Sequence, residues 1–364
     1  MNAPATTESI GAAISARAKA ADTHDGDLAP DIALLRQNGW LTACLAYEDG
    51  GRGWGTEPDA TQRAFDALRC LGRANLSVAR LFEGHMNAVK LVTLYASDDV
   101  RAEMARDVSD GVLMGVWGAD DAESPLEMVV KGTQKVLSGA KRFASGLGLV
   151  EKAIVTVQTD APPQMLLAPT NDPARTDGSS WRMGGMRATR SGRYDFENVP
   201  LADCAMLGEA GDLLREPWFE GGIWRYCAAH LGAAEALHTG MCDALISRDR
   251  ADEPNQQRRI AESAIAIETM RLWLLRAANA VESPNAGADT ATLSLLAREV
   301  TENGCRTVMT LVEQSLGMAA HIEGSDIERI GRDLGLFLCQ AAPDAKRARA
   351  AETLVRRQYL AEKL

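Results

Sequence analysis

Ser191-Gly-Arg-Tyr-Asp-Phe-Glu-Asn-Val-Pro-Leu-Ala-Asp-Cys-Ala-Met-Leu-Gly-Glu-Ala-Gly211 reads as an alternating strand that runs into Val199-Pro200, crosses a short acidic turn and reaches Leu207-Gly208. Period-two alternation is the pattern of a half-buried strand, and the Pro and Gly residues punctuate its end. Soon after Gly211 the period changes. A helix is predicted from around Trp224-Arg225, continuing through Ala228-Ala-His-Leu-Gly-Ala-Ala-Glu-Ala-Leu237. The stretch therefore marks a join between a β region and a helical one.

Upstream of the join, short strands are predicted at Leu113–Trp117, Met128–Lys131, Gln134–Leu137, Ala153–Thr159, Met165–Ala168 and Arg193–Val199. Gly, Asp, Pro and Ser clusters separate them, the spacing of a small antiparallel barrel or sandwich. Before these the pattern is helical, with Gln62–Leu71 and Ala79–Leu94 carrying apolar residues at three- and four-residue spacing. Downstream, amphipathic helices are predicted over 219–248, 256–282 and 289–320, with a shorter one from about 344, as a helical bundle requires. The fold expected is α+β, with an N-terminal all-α domain over 1–111, a central small antiparallel β-barrel over 112–212 and a C-terminal four-helix bundle over 213–364.

A formal net charge of −11 argues against nucleic acid or an anionic membrane as partner, since both demand a basic surface. No run approaches the length of uncharged apolar sequence that a membrane span needs, and the N-terminus lacks a secretory pattern, so a cytoplasmic location is expected. The seven cysteines are scattered, with no C-x-x-C and no zinc spacing, and read as free thiols in a reducing compartment.

The join resembles that between the β-domain and the C-terminal bundle of acyl-CoA dehydrogenases, where a strand ending in V-P leads to L-G-x-x-G and a helix. Leu41-Thr-Ala-Cys-Leu-Ala-Tyr-Glu-Asp-Gly-Gly-Arg-Gly53 is similar to that family's glycine turn in the first domain, and Ile327-Glu-Arg-Ile-Gly-Arg-Asp-Leu334 to the Arg-Asp segment before its last helices. The resemblance runs from about residue 30 to 350 and implies an FAD enzyme acting on an acyl thioester, carried by CoA or a carrier protein, as a homodimer or homotetramer. The electron acceptor is left open.

The resemblance also implies site residues. Gly118-Ala-Asp-Asp-Ala-Glu-Ser-Pro125 stands where the family's first flavin segment lies, placing Trp117, Gly118 and Ser124 at the cofactor. By its own chemistry this is an acidic loop after a strand. Leu137-Ser-Gly-Ala-Lys-Arg-Phe-Ala-Ser-Gly146 matches the second segment, with Phe143 beside the isoalloxazine and Ser145 hydrogen-bonding its N5 or O4. Arg250 (or Arg248 or Arg258) and Glu313 stand where the adenosine end is bound across a subunit interface.

The family's catalytic base is missing. Gln340 and Ala341 occupy its usual place and Trp224 its alternative one, and none of these is a base at neutral pH. Asp344 and Glu220 are the nearby carboxylates that remain as candidates. An oxygen-using flavin monooxygenase or oxidase of the same architecture needs no α-proton abstraction, and a scaffold protein needs no chemistry at all. Glu235-Ala-Leu-His238 has the E-x-x-H form of di-iron bundles but lacks the second copy that such a centre requires, so no metal site is expected.

Overall fold

A computed structural model describes residues 6–159, 162–340 and 342–357. The chain opens with helices α1 (Thr7–Ala21), α2 (Ala29–Gln37), α3 (Trp40–Ala43), α4 (Thr61–Ala74), α5 (Leu76–Tyr95) and α6 (Asp98–Ser109). Strands follow: β1 (Met114–Trp117), β2 (Glu127–Lys131), β3 (Gln134–Ser138), β4 (Ala140–Ala144), β5 (Lys152–Val157), β6 (Gln164–Pro169), β7 (Thr176–Asp177), β8 (Gly192–Asp195), β9 (Val199–Pro200) and β10 (Ala205–Leu207). The C-terminal helices are α7 (Trp224–Ile246), α8 (Pro254–Val281), α9 (Ala291–Leu316), α10 (Asp326–Phe337) and α11 (Pro343–Arg357).

Among the described residues the strands form three small sheets, ordered β1-β5-β6-β10, β2-β3-β9 and β4-β8-β7. The expected antiparallel pairing holds between β2 and β3, β4 and β8, and β5 and β6, whereas β1 runs parallel to β5. A parallel pair needs a long crossover, which the intervening β2–β3 hairpin and β4 supply. Both β5 and β6 are buried along almost their whole length, as strands covered on two faces must be.

Helix α4 crosses α7 at a contact that only glycine allows. A Cβ on Gly72 would stand 2.0 Å from the Ala229 carbonyl oxygen, and one on Gly232 would stand 2.0 Å from that of Arg69. Helix α5, capped by the Asn75 side chain accepting from the Ser77 N–H, runs between β1 and α7.

Polar groups fix how these layers meet. His85 is fully buried, and its Nδ1 accepts the Met114 N–H at 3.1 Å, so the neutral ring carries its proton on Nε2 and donates it to the Leu41 carbonyl at 3.1 Å. Burial pushes the His85 pKa down to about 4. At the far end of α5, Lys90 reaches Glu282 at 3.1 Å, while the Trp224 indole N–H donates to Glu282 at 3.1 Å and Arg225 donates at 2.5 Å. Burial acts to raise this carboxyl, but Arg225 and Lys90 hold it below the usual carboxylate range. One carboxylate thus ties α5, α7 and α8 together. No helix of the described residues is long and apolar enough to cross a membrane.

Candidate functional site

A cavity of about 670 Å³ opens among the sheet edges, the start of α5 and the end of α10. Its size falls within the roughly 300–1,000 Å³ of small-molecule sites. Val116, Trp117, Gly118 and Ala119 form one wall, Arg142, Phe143 and Ser145 the next. Trp181, Met183, Met186, Thr189 and Ser191 face them, and Leu336, Phe337, Cys339 and Gln340 close the far side with Arg80 and Phe219.

The β4–β8 register explains how Phe143 reaches this cavity. Lys141 pairs with Tyr194, yet Ala144 rather than Phe143 pairs with Gly192, so β4 carries one extra residue. Such a bulge re-aims the side chain beside it. Phe143 consequently sits at φ +52°, a left-handed conformation costly for a bulky residue, with its ring 51% exposed and the Arg142 guanidinium 5.2 Å from the ring centroid. An exposed aromatic held in a strained backbone gains little from packing to offset that strain.

Ser145 follows the bulge. Its carbonyl accepts the Trp117 indole N–H at 3.1 Å, and its hydroxyl lies 3.0 Å from that of Ser191. Ser191 is in turn 3.0 Å from the Thr189 hydroxyl, which donates to the Met186 carbonyl at 2.8 Å. The Met186 N–H donates to Asp333 of α10 at 2.6 Å, so the 186–191 turn is anchored to the bundle. Burial pushes the Asp333 pKa up to about 6. The turn after β1 is fixed by buried Lys141, which donates to Asp120 at 2.6 Å and to Thr156 at 2.9 Å, while Thr156 donates to the Gly118 carbonyl at 3.2 Å.

Among the described residues that wall the cavity there is no Asp, Glu or His; Arg80 and Arg142 are its charged groups. Arg80 is oriented by Glu83, to which it donates at 2.6 Å. The Gln340 Oε1 is buried and has no hydrogen-bond partner, an unmet acceptor on a cavity wall.

Of the residues expected at a cofactor, Trp117, Gly118, Phe143 and Ser145 come together here. Ser124 does not line the cavity, and its carbonyl accepts the Ala140 N–H within the hairpin. Arg250 is exposed on the α7–α8 loop and donates to both Glu253 oxygens at 2.8 Å. Glu313 lines a separate cavity of about 360 Å³ between α7, α9 and α10, beside Leu237, Met309 and His321.

The candidate bases are elsewhere too. Asp344, in the first turn of α11, is 94% exposed and 3.6 Å from Arg347. Glu220 is buried against Arg349 of α11 and does not reach the cavity wall, which takes its neighbour Phe219 instead. Position 224 is filled by an indole with no exposure at all, and Ala341 lies outside the described residues. Glu235 and His238 are engaged by Arg69 and Ser263.

Arg80, Trp181, Met186, Thr189 and Ser191 are site residues that pattern reading missed, and so is helix α10 as an element. A signal for α10 existed: Ser325-Asp-Ile-Glu328 is a capping box, and the Ser325 hydroxyl accepts the Glu328 N–H at 3.2 Å.

Residues 221–337 match the family described as acyl-CoA dehydrogenase, C-terminal domain. A dibenzothiophene monooxygenase of Rhodococcus erythropolis is 27% identical over 203 residues, a match covering 51% of this chain and 46% of that protein. Thus the match spans about half the length of this curated relative. Methanesulfinate monooxygenase MsuC from Pseudomonas fluorescens superposes with a TM-score of 0.82 at 18% identity, covering 98% of this chain and 97% of that one. TdsC from Paenibacillus sp. A11-2, solved with FMN and indole, gives 0.78 at 19% identity with 96% of both chains covered. KijD3, solved with FMN and a dTDP-linked amino-deoxy sugar, gives 0.79 at 19% identity, covering 98% of this chain and 92% of that one.

Proposed function

Because the chain has the acyl-CoA dehydrogenase-like fold, with that family's C-terminal domain recognisable in its sequence, we propose that it is a flavin-dependent monooxygenase acting on a small, largely apolar molecule. The observation that carries this reading is the absence of any carboxylate or imidazole among the described walls of the Phe143–Ser145 cavity. Desaturating an acyl thioester requires a base at the α-proton, a contribution of about 10²–10⁴-fold in rate. The walls supply none. Oxygen chemistry requires none.

In this reading the Phe143 ring and the Trp117 edge flank the isoalloxazine, Ser145 hydrogen-bonds a ring nitrogen or O4, and Gln340 offers its unmet acceptor to a substrate or ring N–H. Reduced flavin, when bound, supplies the two electrons that divide O₂ between substrate and water. Trp181, Met183, Phe219 and Phe337 then keep bulk water from the reacting atoms. FMN is favoured over FAD because solved neighbours of the same fold carry FMN. Assembly into a dimer or tetramer belongs to the same reading: Ile265 and Leu272, on the outward face of α8, are 66% and 55% exposed.

A flavin titration followed by fluorescence quenching tests this, with Phe143→Gly as the variant. Glycine relieves the left-handed strain, so the flavin-free variant is expected to melt no lower than the parent, while its FMN affinity falls about tenfold, the loss of roughly one stacked-ring contact of 0.5–1.5 kcal/mol. A parent chain that takes up neither FMN nor FAD would defeat the proposal.

A further inference from the structure

We propose that Thr189 and Ser191 are positioning residues, forming with Ser145 a reversible hydroxyl chain that favours reduced over oxidised flavin. The inference rests on the reading that a flavin ring nitrogen meets Ser145.

The chain can be settled by counting protons. From the interior outward it runs Met186 carbonyl, Thr189, Ser191, Ser145 and the cavity, with hydroxyl spacings of 3.0 Å. Each hydroxyl has a single proton to donate. If Thr189 donates to Met186, then Ser191 must donate to Thr189 and Ser145 to Ser191, leaving Ser145 to present only lone pairs to the cavity. In the reverse order Thr189 donates to Ser191, Ser191 donates to Ser145 at 3.0 Å, the direction found in the structure, and Ser145 turns its O–H outward. Both ends are built. The Met186 carbonyl also accepts the Trp181 indole N–H at 3.0 Å and the Thr189 N–H at 3.2 Å, so it stays satisfied when the Thr189 hydroxyl turns away. Thr189 and Ser191 are each 2% exposed, so water does not replace a missing partner.

A flavin ring nitrogen accepts a hydrogen bond when oxidised and carries an N–H when reduced. An isolated Ser145 would serve the oxidised ring well. Facing an N–H, however, its own proton would need somewhere to go, and the Phe143 carbonyl at 3.5 Å is a poor acceptor. Ser191 gives that proton an acceptor. No net charge moves, and no covalent step is involved.

The test uses the FMN-loaded chain and measures affinity for oxidised and reduced FMN separately, under anaerobic conditions. Ser191→Ala is expected to weaken reduced FMN about tenfold more than oxidised FMN, which lowers the midpoint potential by about 30 mV for a two-electron couple. Thr189→Val should move the ratio in the same direction by less, and Ser191→Thr should restore it. Equal losses for both redox states in Ser191→Ala would overturn the inference, reducing Ser191 to a packing role. An unchanged ratio in Ser145→Ala would overturn it as well, while FMN binding itself left the function reading intact. A parent chain that binds no flavin would overturn both.

Discussion

Replacing Glu282 with alanine is expected to destabilise the fold by about 3–5 kcal/mol, the cost of leaving buried charges without their partner. Arg225 is 3% exposed and Lys90 has a side-chain exposure of 12%, and Glu282 is the carboxylate both of them reach. The same substitution also strips the Trp224 indole N–H of its acceptor. Glu282→Gln keeps an oxygen for the indole and for Arg225 but loses the charge, so its loss of stability should fall between parent and alanine. Urea unfolding at pH 7 reads the difference. A loss below about 1 kcal/mol for Glu282→Ala, the range of exposed ion pairs, would mean that the network is not the tie between α5, α7 and α8 described above.

Replacing His230 with leucine is expected to remove one proton's worth of acid lability. His230 is buried on α7 between Tyr226 and Phe337, whose ring centroids lie 5.4 and 4.5 Å away, and its Nε2 has no hydrogen-bond partner. Burial pushes its pKa down to about 3, and the Arg298 charge acts in the same direction. A depressed imidazole means the folded chain keeps the ring neutral while the unfolded chain protonates it below about pH 6.5. Stability from His85 and His230 is therefore fully present above that pH and is lost as pH falls toward their folded values of about 4 and about 3. Each contributes a slope of about 1.4 kcal/mol per pH unit in that window. Asp333 opposes them: with a folded pKa near 6, its contribution is present at low pH and lost as pH rises. Asp333 and His85 are common to parent and variant, so comparison isolates His230. Unfolding free energies between pH 6.5 and 5 should fall less steeply in His230→Leu by about 1 kcal/mol per pH unit on average. An identical slope would show that His230 is not held neutral.

How much of this was legible in the sequence depends on how local each cause is. The helix–strand–helix order follows from hydrophobic period, which neighbouring residues set. The Trp117–Gly118 and Phe143–Ser145 pieces also came from short contiguous motifs, and they do meet at one cavity. Ser191 was visible in the stretch at the join, yet nothing local showed that it faces Ser145. That contact depends on the β4–β8 register and its bulge, which pair Ala144 with Gly192 across a long separation. Arg80 was hidden likewise: it sits on a helix whose apolar pattern describes packing, and only tertiary placement brings its guanidinium to the cavity. Asp344 and Glu220 are the carboxylates close in sequence to the positions where a base is missing. Helix α11 directs the first into solvent and engages the second through Arg349.

Among its described walls the proposed flavin cavity lacks a substrate base. Anaerobic addition of a panel of acyl-CoAs to the FMN-loaded chain tests it most directly, with the flavin's visible absorbance followed throughout. The expected result is no bleaching by any acyl-CoA, with chemically reduced flavin on the same protein reoxidising once O₂ is admitted. Bleaching by even one acyl-CoA would contradict the account, because it would require a proton acceptor that the described walls around Phe143, Ser145 and Gln340 do not contain.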